Sequence, residues 1–153
     1  MHILGIRTSP STVRYAIIEW DGHTARMLNS AGEHKLDFPA EKTTIAAKVH
    51  WLREELLRIL RQNPQIERIA LKTNEYSRRG ETSACREAAH LDAAALVVAG
   101  EKSLPVKMLL YTSIGTKRDE VKTFAETHVG RADPYWNEQI ADAVAAAWAT
   151  RTA

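Results

Sequence analysis

Cysteine is nearly absent from this 153-residue sequence, and its scarcity narrows the classes of protein to consider. Cys85 is the single example, so the chain cannot form an internal disulfide, and no Cys or His lies near it at zinc-finger spacing. No apolar run reaches the roughly 18 residues of a membrane span, and neither end resembles a secretory signal. We therefore expect a cytoplasmic protein without membrane contact.

The motifs of several common enzyme classes are missing as well. There is no GxxxxGK[ST] phosphate loop, and the six histidines are scattered without metal-ligand spacing. The stretch TSPSTV lacks the nucleophile elbow of serine hydrolases. With 44% hydrophobic and 26% charged residues, the composition is that of an ordinary globular domain, and we expect residues 1–153 to form one. A net charge of +2 and a pI near 8.8 permit a nucleic-acid partner without requiring one.

Hydrophobic periodicity predicts an α/β fold. Three apolar runs separated by short polar turns predict an antiparallel meander at 2–7, 13–20 and 24–29. Apolar residues spaced by three and four predict a helix over 41–62. The elements predicted after it are a strand at 67–73, a helix at 81–100, a strand at 106–111, a helix from 116 to about 128 and a helix at 135–150. We expect a mixed five-stranded sheet covered by helices on both faces.

Two features of these elements raise questions. Arg7 occupies the last inward-facing position of the first strand, where an unpaired charge is costly to bury. The helix over 81–100 has an alanine-rich face, which suits close packing against either the sheet or another subunit.

Four stretches, in this order, resemble the RNase H-like superfamily and, within it, the RuvC-type Holliday-junction resolvases. They are ILGIRTSPSTVRYAII, similar to the opening hairpin, IALKTNEY, similar to the central strand, SACREAAHLDAAALVVAGEKSLPVKMLLYTSIG, similar to an alanine-rich helix with its following strand and loop, and IADAVAAAWA, similar to the closing helix. The resemblance covers nearly the whole chain. It implies an RNase H-like sheet with strand order 3-2-1-4-5 and a homodimer.

The resemblance also implies an active site, which this sequence does not preserve. In that family four carboxylates hold two Mg²⁺ ions about 3.5 to 4 Å apart and hydrolyse a phosphodiester. The corresponding positions here are Arg7, Lys72, Gln139 and Asp142, so only the last is acidic. We expect a catalytically inactive pseudonuclease without a cofactor, in which Arg7 and Lys72 pair with Asp142 and with Glu138 one turn before it.

Basic loops indicate how such a domain contacts a partner. By the resemblance, Arg78, Arg79, Lys117 and Arg118 fall at the end of the sheet where nucleic acid lies. Lys117 and Arg118 follow Thr116 in the predicted first turn of a helix, which combines free backbone N–H groups with positive side chains. We expect these four residues to bind branched or duplex DNA, or the domain to bind a DNA-processing protein.

Two alternatives stay open at this point. The first is a metal-dependent nuclease with a relocated acidic site, in which Glu75, Asp119, Glu138 and Asp142 hold Mg²⁺. The second is a protein-interaction scaffold without nucleic-acid binding, since tryptophan is enriched at interfaces. Its four candidate anchors are Trp20, Trp51, Trp136 and Trp148.

Overall fold

The structure, a computed structural model, describes residues 1–75, 80 and 82–152. The strands are β1 (His2–Thr8), β2 (Thr12–Trp20), β3 (Ala25–Met27), β4 (Lys35–Asp37), β5 (Ile66–Lys72) and β6 (Val106–Leu109). The helices are α1 (Ile45–Gln62), α2 (Ser83–Glu101), α3 (Tyr111–Ile114), α4 (Val121–His128) and α5 (Glu138–Ala149). The predicted α/β class is confirmed.

The strands form one mixed sheet in the order β3-β2-β1-β5-β6. The hairpin of β1 and β2 is antiparallel, whereas β5 and β6 run parallel to β1, as expected for strands that return through a helix. This is the predicted order of the five strands. A sixth strand, β4, pairs with β2 beyond the end of β3 and was predicted to be loop.

Helices cover both faces of the sheet and enclose two hydrophobic cores. On one face α1 and α2 pack on Leu4, Ile6 and Leu71, while on the other face α3, α4 and α5 pack on Ile3, Ala16 and Ala70. Successive side chains along a strand point to opposite faces of the sheet, so each strand contributes alternate residues to the two cores.

One strand and one helix approach each other unusually closely. Gly5 of β1 faces α5, and a Cβ atom at this position would overlap the carbonyl oxygen of Ala143 and lie 2.9 Å from the Cβ of Ala147. Glycine at position 5 thus allows α5 to lie directly on the central strand. This contact fixes the height of α5 above the ends of β1 and β5.

Four predicted helix starts, at 41, 81, 116 and 135, were too early, and capping side chains explain three of them. At α2, the Thr82 hydroxyl accepts a hydrogen bond from Cys85 N. The Thr44 hydroxyl accepts a hydrogen bond from Ala47 N and starts α1, and the Asn137 side chain accepts one from Ile140 N and starts α5. The capping box expected at Thr116 does not form. Instead, the Thr116 backbone N–H donates to the carbonyl oxygen of Tyr111, the first residue of α3, and α4 begins at Val121.

The strand predicted over 106–111 ends at Leu109, and Tyr111 begins the short helix α3. This turn directs the Tyr111 side chain into the α5 face of the sheet, where it is buried. Within the described ranges, no helix is both long and apolar enough to cross a membrane.

Candidate functional site

A row of four basic residues crosses the sheet near the ends of its strands. In the register of the sheet, Lys35 of β4 lies opposite Arg14 of β2. Arg14 lies opposite Arg7 of β1, and Arg7 lies opposite Lys72 of β5. Residues paired across strands project from the same face, so these four side chains, the basic row, all lie on the α5 side of the sheet. Arg7, Arg14 and Lys72 are buried, and Lys35 is exposed.

Arg7 forms a buried ion pair with Asp142 of α5. Its Nε donates to the Asp142 Oδ2 at 2.9 Å, and the two side chains are 7% and 0% exposed. The Arg7 Nη1 also donates to the side-chain oxygen of Asn74, just beyond β5. The partner expected for the buried arginine is therefore present, and a second hydrogen bond holds the guanidinium in place.

The other oxygen of Asp142 is occupied by Tyr111. The Tyr111 hydroxyl donates to the Asp142 Oδ1 at 2.8 Å, so both carboxylate oxygens have partners. Burial raises the pKa of Asp142, while Arg7 and the Tyr111 hydrogen bond oppose that shift. Burial, with a contribution from Asp142, also raises the pKa of Tyr111, so the phenol stays protonated and remains a donor.

Lys72 is enclosed by contacts of its own rather than paired with Asp142. Its Nζ donates to the Thr73 carbonyl at 2.6 Å and to Glu75 at 3.3 Å, and lies 3.8 Å from the centre of the Tyr111 ring. Burial lowers the pKa of Lys72, opposed mainly by the negative charge of Asp142. The expected direct pairing of Lys72 with Asp142 was wrong, because Lys72 pairs with Glu75 instead and both Asp142 oxygens are already bonded to Arg7 and Tyr111.

Glu138 does not pair with either buried cation. It forms an ion pair with Arg118 at 3.2 Å, and both side chains are well exposed. The Tyr111 phenol raises the pKa of Arg118, and the Tyr111 hydroxyl contacts Asp142. The structure thus brings Arg118 to the rim of the group formed by Asp142, Arg7 and Tyr111, the Asp142 cluster. The expectation that Glu138 neutralises Arg7 or Lys72 was wrong.

The remaining predicted residues are placed less tightly. Lys117 is exposed, in the turn before α4 rather than in a helical first turn, so the expected helix-terminus contact does not exist. Gln139 is half-buried on the first turn of α5. Arg78 and Arg79 lie outside the described residues.

A second buried carboxylate lies on the opposite face of the sheet and was not predicted. Asp92 of α2 is 4% exposed and lies 2.5 Å from the hydroxyl of Thr8, which also lies 3.2 Å from the Ala88 carbonyl. Burial raises the pKa of Asp92 to about 6, although Thr8 and the charges of Arg7 and Lys72 act in the other direction. A hydroxyl has one proton, so when Thr8 donates to Ala88 a protonated Asp92 is the matching donor.

The acids at the site do not suit a two-metal centre. The Asp142 carboxylate is bonded by Arg7 and Tyr111. Glu75 accepts hydrogen bonds from Lys72 and, at 2.6 Å, from the Tyr111 backbone N–H. Glu138 forms an ion pair with Arg118. Across the described part of the chain, no three His, Cys, Asp or Glu residues are grouped to hold a metal ion. The residues present therefore do not fit the Mg²⁺ pair that the resemblance implies, nor the relocated site at Glu75, Asp119, Glu138 and Asp142.

Comparison with solved structures identifies the fold. RuvC from Thermus thermophilus superimposes with a TM-score of 0.75, both alone (20% identity) and in complex with a Holliday-junction substrate (19% identity), and the match covers 97% of this chain and 92% of RuvC. The yeast mitochondrial Holliday-junction resolvase Ydc2 matches with a TM-score of 0.61 at 14% identity, over 96% of this chain and 76% of Ydc2. The fold is that of the RuvC-type resolvases. No family model and no curated protein matches the sequence.

Within this RuvC-like fold, sequence reasoning missed Tyr111, Asn74, Asp92 and Arg14. Arg14 was open to prediction, because residues equally distant from a hairpin turn face each other and Arg14 is opposite Arg7. Tyr111 was not, since its role depends on the strand ending two residues earlier than its apolar pattern indicates.

Proposed function

We propose that this chain is a RuvC-like domain that binds nucleic acid and does not cleave it by two-metal hydrolysis. The observation that carries the proposal is the replacement of acids by Arg7 and Lys72 at the ends of β1 and β5, with both cations buried. Their charge occupies the place that metal ions take in the resembling enzymes, so the domain needs no cofactor there.

Electrostatics supports the loss of metal binding. Two like unit charges at about 4 Å repel by about 4 kcal/mol at an effective dielectric constant of about 20. A divalent ion beside Arg7 and Lys72 meets such repulsion from both sides, and its remaining ligand, Asp142, is already hydrogen-bonded by Arg7 and Tyr111. Binding a metal at Asp142 would require breaking those bonds first.

The exposed basic residues support nucleic-acid binding. Arg118 lies next to Tyr111 and Glu138 at the rim of the Asp142 cluster, and the preceding residue, Lys117, is exposed. The matching RuvC structure includes a Holliday-junction substrate. Phosphate contacts from such side chains release counterions and make affinity fall steeply with salt. We propose branched or duplex DNA as the ligand, with Arg78 and Arg79 as further contacts.

Fluorescence anisotropy tests the binding proposal. Four-way junction, duplex and single-stranded DNA are titrated with the protein in EDTA over a salt series. We expect junction binding that weakens with salt, and a slope smaller by about one for each of the variants Lys117→Gln and Arg118→Gln. Lys102→Gln, at the far end of α2, is the matched control and leaves the slope unchanged. Absence of binding at low salt contradicts the proposal.

Cleavage is tested on the same junction with Mg²⁺ or Mn²⁺. We expect no product beyond that of a buffer control. Cleavage by the wild-type protein that is lost in Asp142→Ala would show an active nuclease and would contradict the proposed inactivity.

We also propose that the domain forms a homodimer through an apolar edge of the fold. Its residues lie on the outer side of α2 and along β6, the end strand of the sheet: Leu96, Val97, Val106, Met108 and Leu110. All but Leu96 are exposed, and Met108 is 52% exposed. The tryptophans give weaker support for a protein interface, since Trp20, Trp51, Trp136 and Trp148 are all partly buried.

A further inference from the structure

Arg14 differs from the other three members of the basic row because it forms no ion pair with a carboxylate of the described residues. Lys35 pairs with Asp37 at 3.1 Å, Arg7 with Asp142 and Lys72 with Glu75. Among residues 1–75, 80 and 82–152, no carboxylate lies within ion-pair distance of Arg14. Arg14 is nevertheless only 6% exposed.

The contacts of Arg14 are those of a cation held by neutral groups. Its Nη1 lies 3.4 Å from the Nδ1 of His34, and its guanidinium carbon lies 4.7 Å from the centre of the Tyr135 ring. Burial and the nearby charge of Arg14 lower the pKa of His34, so the imidazole is neutral at neutral pH and accepts the hydrogen bond. The Nε of Arg14 is buried and has no hydrogen-bond partner.

Such an arrangement is costly for a closed protein interior. A buried cation requires an anion and hydrogen bonds to offset the loss of hydration, and a stacked aromatic ring replaces only part of that. Arg7 supplies no compensation, because it carries the same charge and its own carboxylate is engaged. Arg14 thus has an open donor and an unmatched positive charge at the same place.

We propose that Arg14 is the centre of an oxyanion-binding site, with His34 and Tyr135 as its walls, that takes a phosphate group. The free Nε and the outer Nη form the side of the guanidinium that binds two oxygens of a phosphate in parallel. Tyr135 is 51% exposed and covers the guanidinium, so a movement of its ring opens Arg14 to ligand. The phosphate comes from a nucleic-acid backbone or from free phosphate.

The first test measures thermal unfolding in inorganic phosphate and in chloride at equal ionic strength. We expect phosphate to raise the melting temperature of the wild-type protein saturably and to have no such effect on Arg14→Met. Without phosphate, Arg14→Met should be at least as stable as wild type, because no ion pair is lost. Arg26→Met removes an exposed arginine paired with Glu19 and is the control that keeps the phosphate response.

A measurement on the wild-type protein covers the case in which Arg14→Met does not fold. In a ¹⁵N spectrum of arginine side chains, the Arg14 Nε–H signal should shift saturably with phosphate, while that of Arg26 stays in place. A phosphate response that is absent, or that is equal in Arg14→Met and wild type, overturns the site.

DNA binding then distinguishes the two sources of phosphate, and this arm alone rests on the proposed function. If a backbone phosphate occupies the site, Arg14→Met weakens junction binding about ten-fold or more and lowers the salt slope by about one. If free phosphate is the ligand, junction affinity is unchanged in Arg14→Met while the thermal response is lost. If the protein binds phosphate through Arg14 but binds no DNA, the oxyanion site is supported and the proposed nucleic-acid binding is contradicted.

Discussion

At the scale of single residues, Asp142 is where the charges of the candidate site meet. Its carboxylate is the only acid that contacts Arg7 among the described residues. Asp142→Asn leaves Arg7 buried without a counter-charge, and breaking a buried pair in this way costs about 3–5 kcal/mol. We expect a loss of that size in the free energy of unfolding, measured by urea denaturation.

Two comparisons isolate the ion pair. Asp119→Asn changes an exposed acid and should alter the unfolding free energy by no more than about 0.5 kcal/mol. The double variant Arg7→Met with Asp142→Leu removes both charges and should recover most of the loss. Equal stability of Asp142→Asn and wild type would mean that Arg7 reaches water or another partner.

Asp92 predicts a distinct pH dependence. Its pKa in the folded protein is raised to about 6 from the ordinary aspartate value of 3.8, so the folded state holds this proton more tightly than the unfolded state. The resulting stability is present at low pH and is lost as pH rises from about 4 to about 6, by about 3 kcal/mol. Asp92→Asn cannot ionise and does not lose this stability. The free energy of unfolding of the variant, relative to that of the wild-type protein, should therefore increase over this pH range.

The measurement is urea denaturation of both proteins at intervals from pH 4 to pH 7. Asp142 and Lys72 also titrate differently in the folded state, but they are present in both proteins and cancel in the difference. Asp119→Asn serves as the control and should run parallel to wild type. If the Asp92→Asn and wild-type curves are parallel as well, Asp92 is ionised in the folded protein throughout this range.

The sequence revealed some residues of the site better than others. Arg7 stood out because a charge at the end of an apolar strand conflicts with its neighbours, and Lys72 was found because the resemblance places an acid at its position. Their partners could not be assigned in the same way, because Glu75 and Asn74 lie in a loop whose path depends on tertiary packing. Asp92 was hidden because an aspartate in an alanine-rich helix is equally consistent with a solvated face.

At the scale of elements, the contact of β1 with α5 sets the position of Asp142 relative to Arg7. Gly5→Ala places a methyl group where the Ala143 carbonyl and the Ala147 side chain already lie. Overpacking of this kind costs about 1–3 kcal/mol, and here the backbone oxygen cannot rotate away. We expect lower stability in urea denaturation, together with a shift of the Arg7 Nε–H resonance as α5 moves outward.

Gly100→Ala is the matched control for that substitution. Gly100 is exposed in the last turn of α2, and nothing lies within 4 Å of an added Cβ. Alanine is the better helix former by about 1 kcal/mol, so this variant should be slightly more stable than wild type. Destabilisation of similar size in both variants would mean that the effect at Gly5 is not steric.

Elements with strong periodicity were predicted correctly, and elements that depend on neighbours were not. The long helices α1 and α2 and the strands β1, β2 and β5 each carry enough apolar residues to define one period. The three-residue strand β4 does not, and it exists because β2 extends past β3 and offers a free edge. The start of α4 depends on how α3 ends at Gly115, which has φ 91°.

At the scale of the whole molecule, the resolvase-like layering leaves one apolar edge uncovered. Helices α1 and α2 cover most of one face of the sheet. At the edge of that face, Met108 and Leu110 line a cleft of about 370 Å³ between β6 and α2. Val97 of α2 is also exposed. A second copy that buries this edge would remove apolar surface from water and also cover β6, which ends the strand order of the sheet.

We expect sedimentation velocity to show a dimer of the wild-type protein at micromolar concentration and a monomer for Met108→Glu. A charge at the centre of an apolar interface costs about 2 kcal/mol or more, which raises the dissociation constant about thirty-fold. Thr123→Glu adds the same charge to an exposed position on α4 and should leave the dimer intact. Because Met108 is 52% exposed in the single chain, Met108→Glu should fold normally, as circular dichroism can verify. A dimer that persists in Met108→Glu must use another surface, and a wild-type monomer at these concentrations would leave the apolar edge to a different partner.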